Sequence, residues 1–412
     1  MKKKTTPEAP AASVTWETLE SFAREQIQLV IQRVLDEEVT SLLGRVKSAR
    51  RSPVDGEVGY RNGHGKPRRL SLTCGTVTVR RPRVRGLEER FESRILPLFA
   101  RRTEEIGGLL PELYLHGLSQ GDFELALRGL LGDAAPLSAS SIERLRGKWQ
   151  AEFEEWRTRP VNPDVVYLWV DGIYVKAGLE KEKACLLVAI AGLRDGRKVV
   201  VAIESGYRES TESWAGLLRA LRERGMNAPR LVIGDGHLGI WSALAAVFPE
   251  AEAGRCWNHK ILNVLEELPK KLRPQAQELL RQIPAAETQA ECEKLRDRFV
   301  RRYQGGYPKA AAALLRDWER MVTFYRFPQE HWRHLRTSNV VESPFASVRL
   351  RTAAGKRYKK VASATALIWK VLMIAESRFR RLNAAHLLGE VAEGAKYEDG
   401  VRVHHVNRRA AA

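Results

Sequence analysis

The sequence has few cysteines and no long hydrophobic run, and these absences exclude several classes of protein. Only 4 cysteines occur in 412 residues, and none forms a Cys-x-x-Cys pair, which argues against a disulfide-bonded scaffold or a four-cysteine zinc site. No apolar run approaches the roughly 20 residues that a membrane-spanning helix requires. The basic start, Met1–Lys4, is not followed by the apolar core of a signal peptide, so we expect a cytoplasmic protein.

Acidic residues are too few to balance the basic ones. The chain has 69 lysines and arginines against 50 aspartates and glutamates, a net charge of +19. Residues 45–102 contain 16 basic and 5 acidic residues, and residues 336–360 contain 7 basic residues and a single acid. A positive excess held in two segments predicts two regions that bind a polyanion such as DNA.

The first basic segment predicts a small β-hairpin. Residues 70–79 alternate apolar and polar side chains around Gly75, and an arginine-rich run follows. Such a ribbon can carry guanidinium groups to DNA phosphates, although a basic run is also compatible with a simple solvated face. The predicted DNA contacts in this run are Arg80, Arg81, Arg83 and Arg85.

Two helical patterns follow the hairpin, at 119–131 and 138–149, and their succession suits a helix-turn-helix motif. Two ordinary packed helices are the alternative, because the intervening turn is longer than the usual three or four residues. On the polar side of the second helix, the predicted DNA contacts are Ser140, Ser141, Arg144 and Lys148.

A long helix is predicted near the start of the chain, over residues 16–43 and ended by Gly44. It is interpreted as a packed helix, with a dimerising helix as the alternative. The apolar face in this prediction comprises Trp16, Leu19, Phe22, Ile27, Val30, Val34 and Leu42.

Five short apolar runs predict a mixed sheet of α/β class. The predicted strands are 165–170, 184–191, 198–203, 231–233 and 251–256, with helices at 209–224 and 238–247. Asp171 follows the first strand and Asp235 lies just after the fourth. If these two strands are neighbours, the two carboxylates converge at the end of the sheet, whereas each Asp-Gly alone is an ordinary turn.

Glu342 is the candidate for a third carboxylate, since two divalent ions on a phosphodiester need several carboxylate oxygens. Thr337 or Ser338 can cap a helix that places Glu342 in its first turns. Arg349, seven residues on, then lies on the same face and can hold a phosphate. The alternative is that Glu342 complements the helix dipole.

Three further residues are candidates for auxiliary roles at the same site. Cys256 and His259 are spaced as zinc ligands, but no second pair lies nearby, which favours packing for Cys256 and an active-site or phosphate contact for His259. His237 directly follows the Asp235-Gly236 turn and either approaches the site or faces solvent.

The sequence resembles bacterial Mutator-type insertion-sequence transposases, a branch of the DDE transposases. The resemblance covers nearly the whole chain, and its most specific stretch runs from His331 to Thr352. Its shorter motifs are 171–176 (DGIYVK), 233–237 (IGDGH) and 255–260 (RCWNHK). It implies an RNase H-like core, with Asp171, Asp235 and Glu342 as the metal-binding triad, interrupted by a helical insertion. Arg351, in the last motif, is a further predicted DNA contact.

The resemblance also implies a chemistry and partners. Two Mg²⁺ ions, for which Mn²⁺ substitutes, are expected to support hydrolysis at the element's ends and attack of the freed 3′-hydroxyl on target DNA. Double-stranded DNA, comprising terminal inverted repeats and target, is the expected partner, bound by a homodimer or larger assembly. The alternatives are a nuclease or resolvase that cleaves without joining, and a non-catalytic DNA-binding regulator.

The predicted organisation has six segments. They are an N-terminal helix (1–48), a mostly helical DNA-binding region with the hairpin (49–160), the first part of the catalytic core (161–256), the helical insertion (257–333), the last part of the core (334–385) and a C-terminal tail (386–412).

Overall fold

The computed structural model describes residues 14–51, 58–119, 122–131, 139–178, 183–206, 208–236, 238–355 and 357–403. The chain divides into two compact units, unit 1 over Met1–Leu145 and unit 2 over Arg146–Ala412. The boundary between them falls within a single helix, Ala139–Thr158.

Unit 1 combines a long helix with short antiparallel strands. Its described elements are α1 (Leu19–Leu43), β1 (Tyr60–His64), β2 (Arg68–Leu72), β3 (Gly75–Val79), β4 (Pro82–Arg85), α2 (Glu104–Leu115), α3 (Phe123–Leu131) and the start of α4 (Ala139–Thr158). β2 and β3 form the predicted hairpin, with Leu70 opposite Val77. β4 pairs with β1 and carries Arg83 and Arg85 on a strand rather than in a loop.

Helix α1 ends as predicted but buries a different face. Gly44 adopts a left-handed conformation, φ 60°, directly after Leu43. The buried residues follow a four-residue repeat of Leu35, Val39 and Leu43, and Leu35 packs in the core of the hairpin. The predicted packed face was wrong. Apolar residues at three- and four-residue spacing occur on two faces of this helix, and the hairpin packs against the face that carries Leu35. Its exposed members are Trp16, Leu19, Val30, Val34 and Leu42.

Unit 2 is built on a mixed five-stranded sheet. Its strands are β5 (Val165–Val175), β6 (Ala184–Leu193), β7 (Lys198–Gly206), β8 (Leu231–Gly234) and β9 (Glu252–Arg255). The strand order is β7-β6-β5-β8-β9; β5–β6 and β6–β7 are antiparallel, while β5–β8 and β8–β9 are parallel. The mixed sheet and the adjacency of the first and fourth strands are thus confirmed.

Strand β5 is longer than predicted. It continues past Asp171 to Val175, because β6 pairs with it along this stretch, with Val188 opposite Asp171. The prediction that the strand ends at Asp171 was therefore wrong, and Asp171 lies inside a hydrogen-bonded strand.

Two helices, α5 (Thr211–Glu223) and α6 (Leu238–Val247), pack against each other and join the sheet's apolar core. α5 begins at Ser210, whose side chain accepts a hydrogen bond from the Ser213 backbone N–H at 3.2 Å. Trp214 and Leu218 are buried in the core. This cap and this packing fix the position of the residue just before the helix, Glu209.

The segment between β9 and the helix carrying Glu342 is helical, as expected. Its helices are α7 (Trp257–Glu266), α8 (Arg273–Gln282), α9 (Gln289–Tyr303), α10 (Pro308–Leu315), α11 (Trp318–Val322) and α12 (Trp332–Leu335). Residues 309–324 do not form one continuous helix, because Asp317 adopts φ 59° between α10 and α11. The two ends of the segment meet, since the Trp257 N–H donates to the Arg336 carbonyl oxygen at 2.9 Å.

The remaining elements complete unit 2. They are α13 (Asn339–Glu342), α14 (Phe345–Ala354), α15 (Val361–Glu376), α16 (Leu388–Ala392) and the two-residue strands β10 (Tyr397–Glu398) and β11 (Val401–Arg402). In the predicted C-terminal tail, Leu388 and Val391 are buried, so at least this part packs on unit 2. No helix among the described residues is long and apolar enough to cross a membrane.

Candidate active site

Two aspartates face each other across neighbouring strands of the sheet. Trp169 of β5 pairs with Ile233 of β8 in parallel register, and the same register extended by two residues sets Asp171 beside Asp235. One carboxylate oxygen from each of Asp171, Asp235 and a third residue, Glu209, lies within 4.8 Å of the other two. The predicted convergence of Asp171 and Asp235 is therefore found.

Sequence reasoning treated Glu209 only as the start of a predicted helix. It lies between β7 and the N-cap Ser210, and 9% of it is exposed. Its carboxylate packs against the backbone of Gly172, where a β-carbon would lie 2.6 Å from the Glu209 Cδ and Oε1 atoms. The signal that could have found it is an acid at the start of the predicted helix 209–224, which follows the third strand of the same sheet.

The Asp171 carboxyl is strongly perturbed. Burial first, and then the charges of Asp235 and Glu342, raise its pKa to about 7. The Gly172 N–H donates to Asp171 Oδ1 at 2.8 Å and opposes this rise. Asp171 thus stands among carboxylates whose mutual repulsion favours uptake of a positive charge, either a proton or a cation.

Glu342 approaches the same place from the C-terminal part of the chain. It is the last residue of α13, which packs on β5 and β6, and its Oε1 accepts a hydrogen bond from the Ser338 hydroxyl. The expected continuous helix from Glu342 to Arg349 was wrong, because a turn at Ser343 and Pro344 separates α13 from α14.

Cys256 supports this placement of Glu342. It is fully buried at the N-cap of α7, and its Sγ accepts a hydrogen bond from the Ser338 N–H at 3.3 Å. Ser338 therefore connects Cys256 to Glu342. Cys256, His259 and Glu342 each bring one potential ligand atom within 4.8 Å of the others, so the structure adds a carboxylate to the Cys-x-x-His pair.

His259 faces the carboxylates, with its Nδ1 3.8 Å from Glu342 Oε1. Hydrogen bonding with the Cys256 side chain raises its pKa to about 9 against the opposing effect of burial, and the charges of Cys256, Glu342 and Asp171 add to the rise. A protonated imidazole at this point is a cationic group beside the carboxylates, and a phosphate contact by His259 stays a prediction.

The other auxiliary candidates have different outcomes. His237 lies outside the described residues. Arg349 is exposed on α14 and is available to an anion. Arg351 is only 2% exposed, so the prediction that it contacts DNA was wrong; its position on α14 turns it into the protein.

In unit 1, the basic hairpin region lines an open cavity of about 450 Å³. Burial, and then the positive charges of Arg81 and Arg101, lower the pKa of Arg68 at its wall. Such crowding of cations favours a bound anion. Its basic lining residues are Lys66, Arg68, Arg81, Arg83, Arg85 and Arg90.

Of the predicted DNA contacts among the described residues of unit 1, only Arg81, Arg83 and Arg85 line this cavity. Arg80 is exposed at the end of the hairpin, and Arg81 is half-buried, donating to the Phe91 carbonyl oxygen at 3.1 Å. Arg144 and Lys148 are exposed on α4. Ser140 and Ser141 belong to α4, but their side chains lie outside the described part of the structure, as does the turn of the expected helix-turn-helix.

Comparison with known proteins adds the family context. The family model described as "Transposase, Mutator family" matches residues 2–381. The chain is 47% identical over 293 residues to the transposase for insertion sequence element IS6120 of Mycolicibacterium smegmatis, covering 71% of this chain and 91% of that protein. It is 40% identical over 279 residues to the transposase for insertion sequence element IST2 of Acidithiobacillus ferrooxidans, covering 67% of this chain and 94% of that protein.

Proposed function

Because this chain belongs to the Mutator family of transposases, we propose that it binds the ends of an insertion sequence and catalyses DNA strand cleavage and strand transfer. The observation that carries the catalytic part of this proposal is the convergence of acids on one sheet. Asp171 lies in β5, and Asp235 lies beside it, directly after the end of β8. The charge of Glu342 also acts on Asp171 and raises its pKa.

The donor set fits hard divalent cations. Carboxylate oxygens are the ligands that Mg²⁺ and Mn²⁺ prefer, and the raised pKa of Asp171 reflects a local excess of negative charge that a cation relieves. Asp171, Asp235 and Glu342 would hold two Mg²⁺ ions. When bound, these ions would supply the positive charge that activates a water or 3′-hydroxyl and stabilises an in-line displacement at phosphorus.

The chain's own residues orient the scissile phosphate. The β5–β6 pairing holds Asp171, and the Ser338 hydroxyl holds Glu342. Protonated His259 and exposed Arg349 provide cationic groups for non-bridging phosphate oxygens. No covalent bond between protein and DNA is required, because water and the DNA hydroxyl are the nucleophiles.

The fold assignment that we propose for unit 2 is an RNase H-like core. Three strands, a helix, a strand, a helix and a strand follow in order along the chain. In the sheet, β6 and β7 lie on one side of β5 and the parallel pair β8–β9 lies on the other. Acids at the middle of the first strand, after the fourth strand and on a later helix support this assignment.

Double-stranded DNA is the proposed partner of the basic cavity in unit 1, through phosphate contacts that carry no sequence information. A homodimer or larger assembly is proposed because transposition joins two element ends. The exposed apolar residues of α1, such as Leu29 and Val30, support an assembly surface on that helix. We place this activity in the cytoplasm, where the chromosome is accessible.

The test of this function uses separate assays of cleavage and joining. Asp171→Ala, Asp235→Ala and Glu342→Ala should each abolish Mg²⁺-dependent strand cleavage and joining of pre-cut 3′-hydroxyl ends while retaining binding to end DNA. Cleavage without joining by the wild-type protein would indicate a nuclease or resolvase. DNA binding without any strand chemistry would indicate a regulator.

A further inference from the structure

We propose that Glu209 is a fourth carboxylate ligand for the divalent metal ions of this site, an inference that rests on the proposed function. It extends the expected Asp171, Asp235 and Glu342 triad by a residue from a different element, the junction between β7 and α5.

The first support is proximity. Among the described residues, Glu209 shares with Asp171 and Asp235 a set of carboxylate oxygens that all lie within 4.8 Å of one another. Two oxygens that each bind one cation at roughly 2.1 Å lie at most roughly 4.2 Å apart, so small rotations of these side chains would let them bind a common cation. The charge of Glu342 also acts on Asp171, and Glu342 itself lies 3.8 Å from His259.

The second support is that the chain leaves room for Glu209 at two glycines. A β-carbon on Gly172 would lie 2.6 Å from the Glu209 carboxyl carbon. A β-carbon on Gly239, in the first turn of α6, would lie 2.6 Å from the Glu209 backbone oxygen. Gly172 directly follows Asp171, and Gly239 lies four residues after Asp235. Glu209 can therefore approach the segments that carry the two aspartates only because Gly172 and Gly239 have no side chain.

The third support is charge and burial. Glu209 is as buried as Asp171, each with 9% exposed, and like charges at this separation repel strongly away from water. A divalent cation shared by the carboxylates relieves their repulsion and uses all of them as ligands.

The experiment measures metal binding by the full-length protein without DNA, using Mn²⁺ as the probe in calorimetry and electron paramagnetic resonance. Glu209→Gln keeps the size of the side chain and removes its charge. It should weaken Mn²⁺ binding by about tenfold or more. The matched control is Glu212→Gln, an exposed acid three residues on in α5, which should bind Mn²⁺ as the wild type does.

Two comparisons separate this inference from the proposed function. If Asp171→Asn and Asp235→Asn lose Mn²⁺ binding while Glu209→Gln keeps wild-type affinity, the Glu209 inference is overturned and the proposed function stands. If Asp171→Asn, Asp235→Asn and Glu209→Gln all keep wild-type affinity, the metal site itself is overturned.

A second variant guards against misfolding. Without metal, in EDTA, Glu209→Gln should melt no lower than the wild type, because it removes a like charge from the cluster. If Glu209→Gln melts lower, the test uses Glu209→Asp, which keeps the negative charge on a side chain that is shorter by one methylene. Weakened Mn²⁺ binding by Glu209→Asp would support Glu209 as a ligand. Unchanged Mn²⁺ binding would overturn that role.

Discussion

Arg255 and Asp317 form a buried ion pair, with 2.6 Å between Nη1 and Oδ2 and with 8% and 12% of their side chains exposed. Arg255 also donates through Nε to the Asp235 carbonyl oxygen at 3.3 Å. The pair thus joins the helical insertion to the turn that carries a proposed metal ligand. Gly236 permits this contact, since a β-carbon there would lie 2.1 Å from the Arg255 Nε.

Arg255→Met should destabilise the protein by about 3 kcal/mol, near the lower end of the range for breaking a buried pair, because Arg320 still contacts Asp317 at 3.0 Å. Urea denaturation measures the change. The control is Arg326→Met, which breaks an exposed pair with Glu252 and should lower stability by less than about 1 kcal/mol. Equal losses in the two variants would contradict a special role for the buried pair.

Cys256→Ala should lower the rate of strand cleavage by about 10-fold to 100-fold. The reason is that it leaves the buried Ser338 N–H without its acceptor, and Ser338 in turn orients Glu342. Cys256→Ser, whose oxygen can accept the same bond, should lose less. Cys292→Ala, at a buried cysteine in α9, is the control and should keep the cleavage rate. An equal loss in the serine variant would instead indicate that the thiol itself is needed.

The stability of the protein should fall in mild acid because of His334. Burial lowers the pKa of this imidazole to about 4, and its Nε2 accepts a hydrogen bond from the Asn383 N–H at 3.2 Å. The unfolded chain takes up a proton near pH 6.5 and the folded chain only near pH 4, so stability decreases as the pH falls between these values.

His334→Gln keeps an acceptor for Asn383 but cannot titrate. Its unfolding free energy, measured by urea titration at a series of pH values, should be flatter between pH 6.5 and 4 than that of the wild type. The difference in slope should be at most about 1.4 kcal/mol per pH unit. His386→Gln, at an exposed ring, should show the wild-type profile. Parallel profiles for His334→Gln and the wild type would contradict the assignment.

Arg83→Ala and Arg85→Ala should weaken binding to end DNA and to unrelated DNA alike, because phosphate contacts do not read sequence. Each should reduce the slope of log affinity against log salt concentration by about 1. Fluorescence anisotropy over a range of salt concentrations measures both effects. Arg219→Ala, an exposed arginine on α5, is the control. A wild-type salt slope in both Arg83→Ala and Arg85→Ala would exclude the basic cavity as a phosphate site.

Elements with strong local signals could be predicted from the sequence. The β2–β3 hairpin, the five strands of the sheet and helix α6 depend on alternation and periodicity within a short window. The convergence of Asp171 and Asp235 followed from strand order, which fixes which strand ends are neighbours.

The features that sequence reasoning missed depend on long-range packing. Glu209 lies near Asp171 only because Gly172 and Gly239 admit it, and Arg351 is buried only because α14 turns that face inward. The chain breaks between α10 and α11 at Asp317, which adopts a left-handed conformation that helical periodicity cannot reveal. Asp317 is also the ion-pair partner of Arg255. In α1, apolar residues lie on two faces of the helix, and packing against the hairpin buries only one of them.

The hydrogen bond between Trp257 and Arg336 has a consequence for variation within the insertion. The helical insertion begins after β9 and ends before α13, and this hydrogen bond brings its two ends together. Because loop closure costs only about 0.6 kcal/mol for each doubling of loop length, the loops between these helices can change in length with little effect on the position of Glu342. The insertion can therefore vary in its loops while Glu342 keeps its place against β5 and β6.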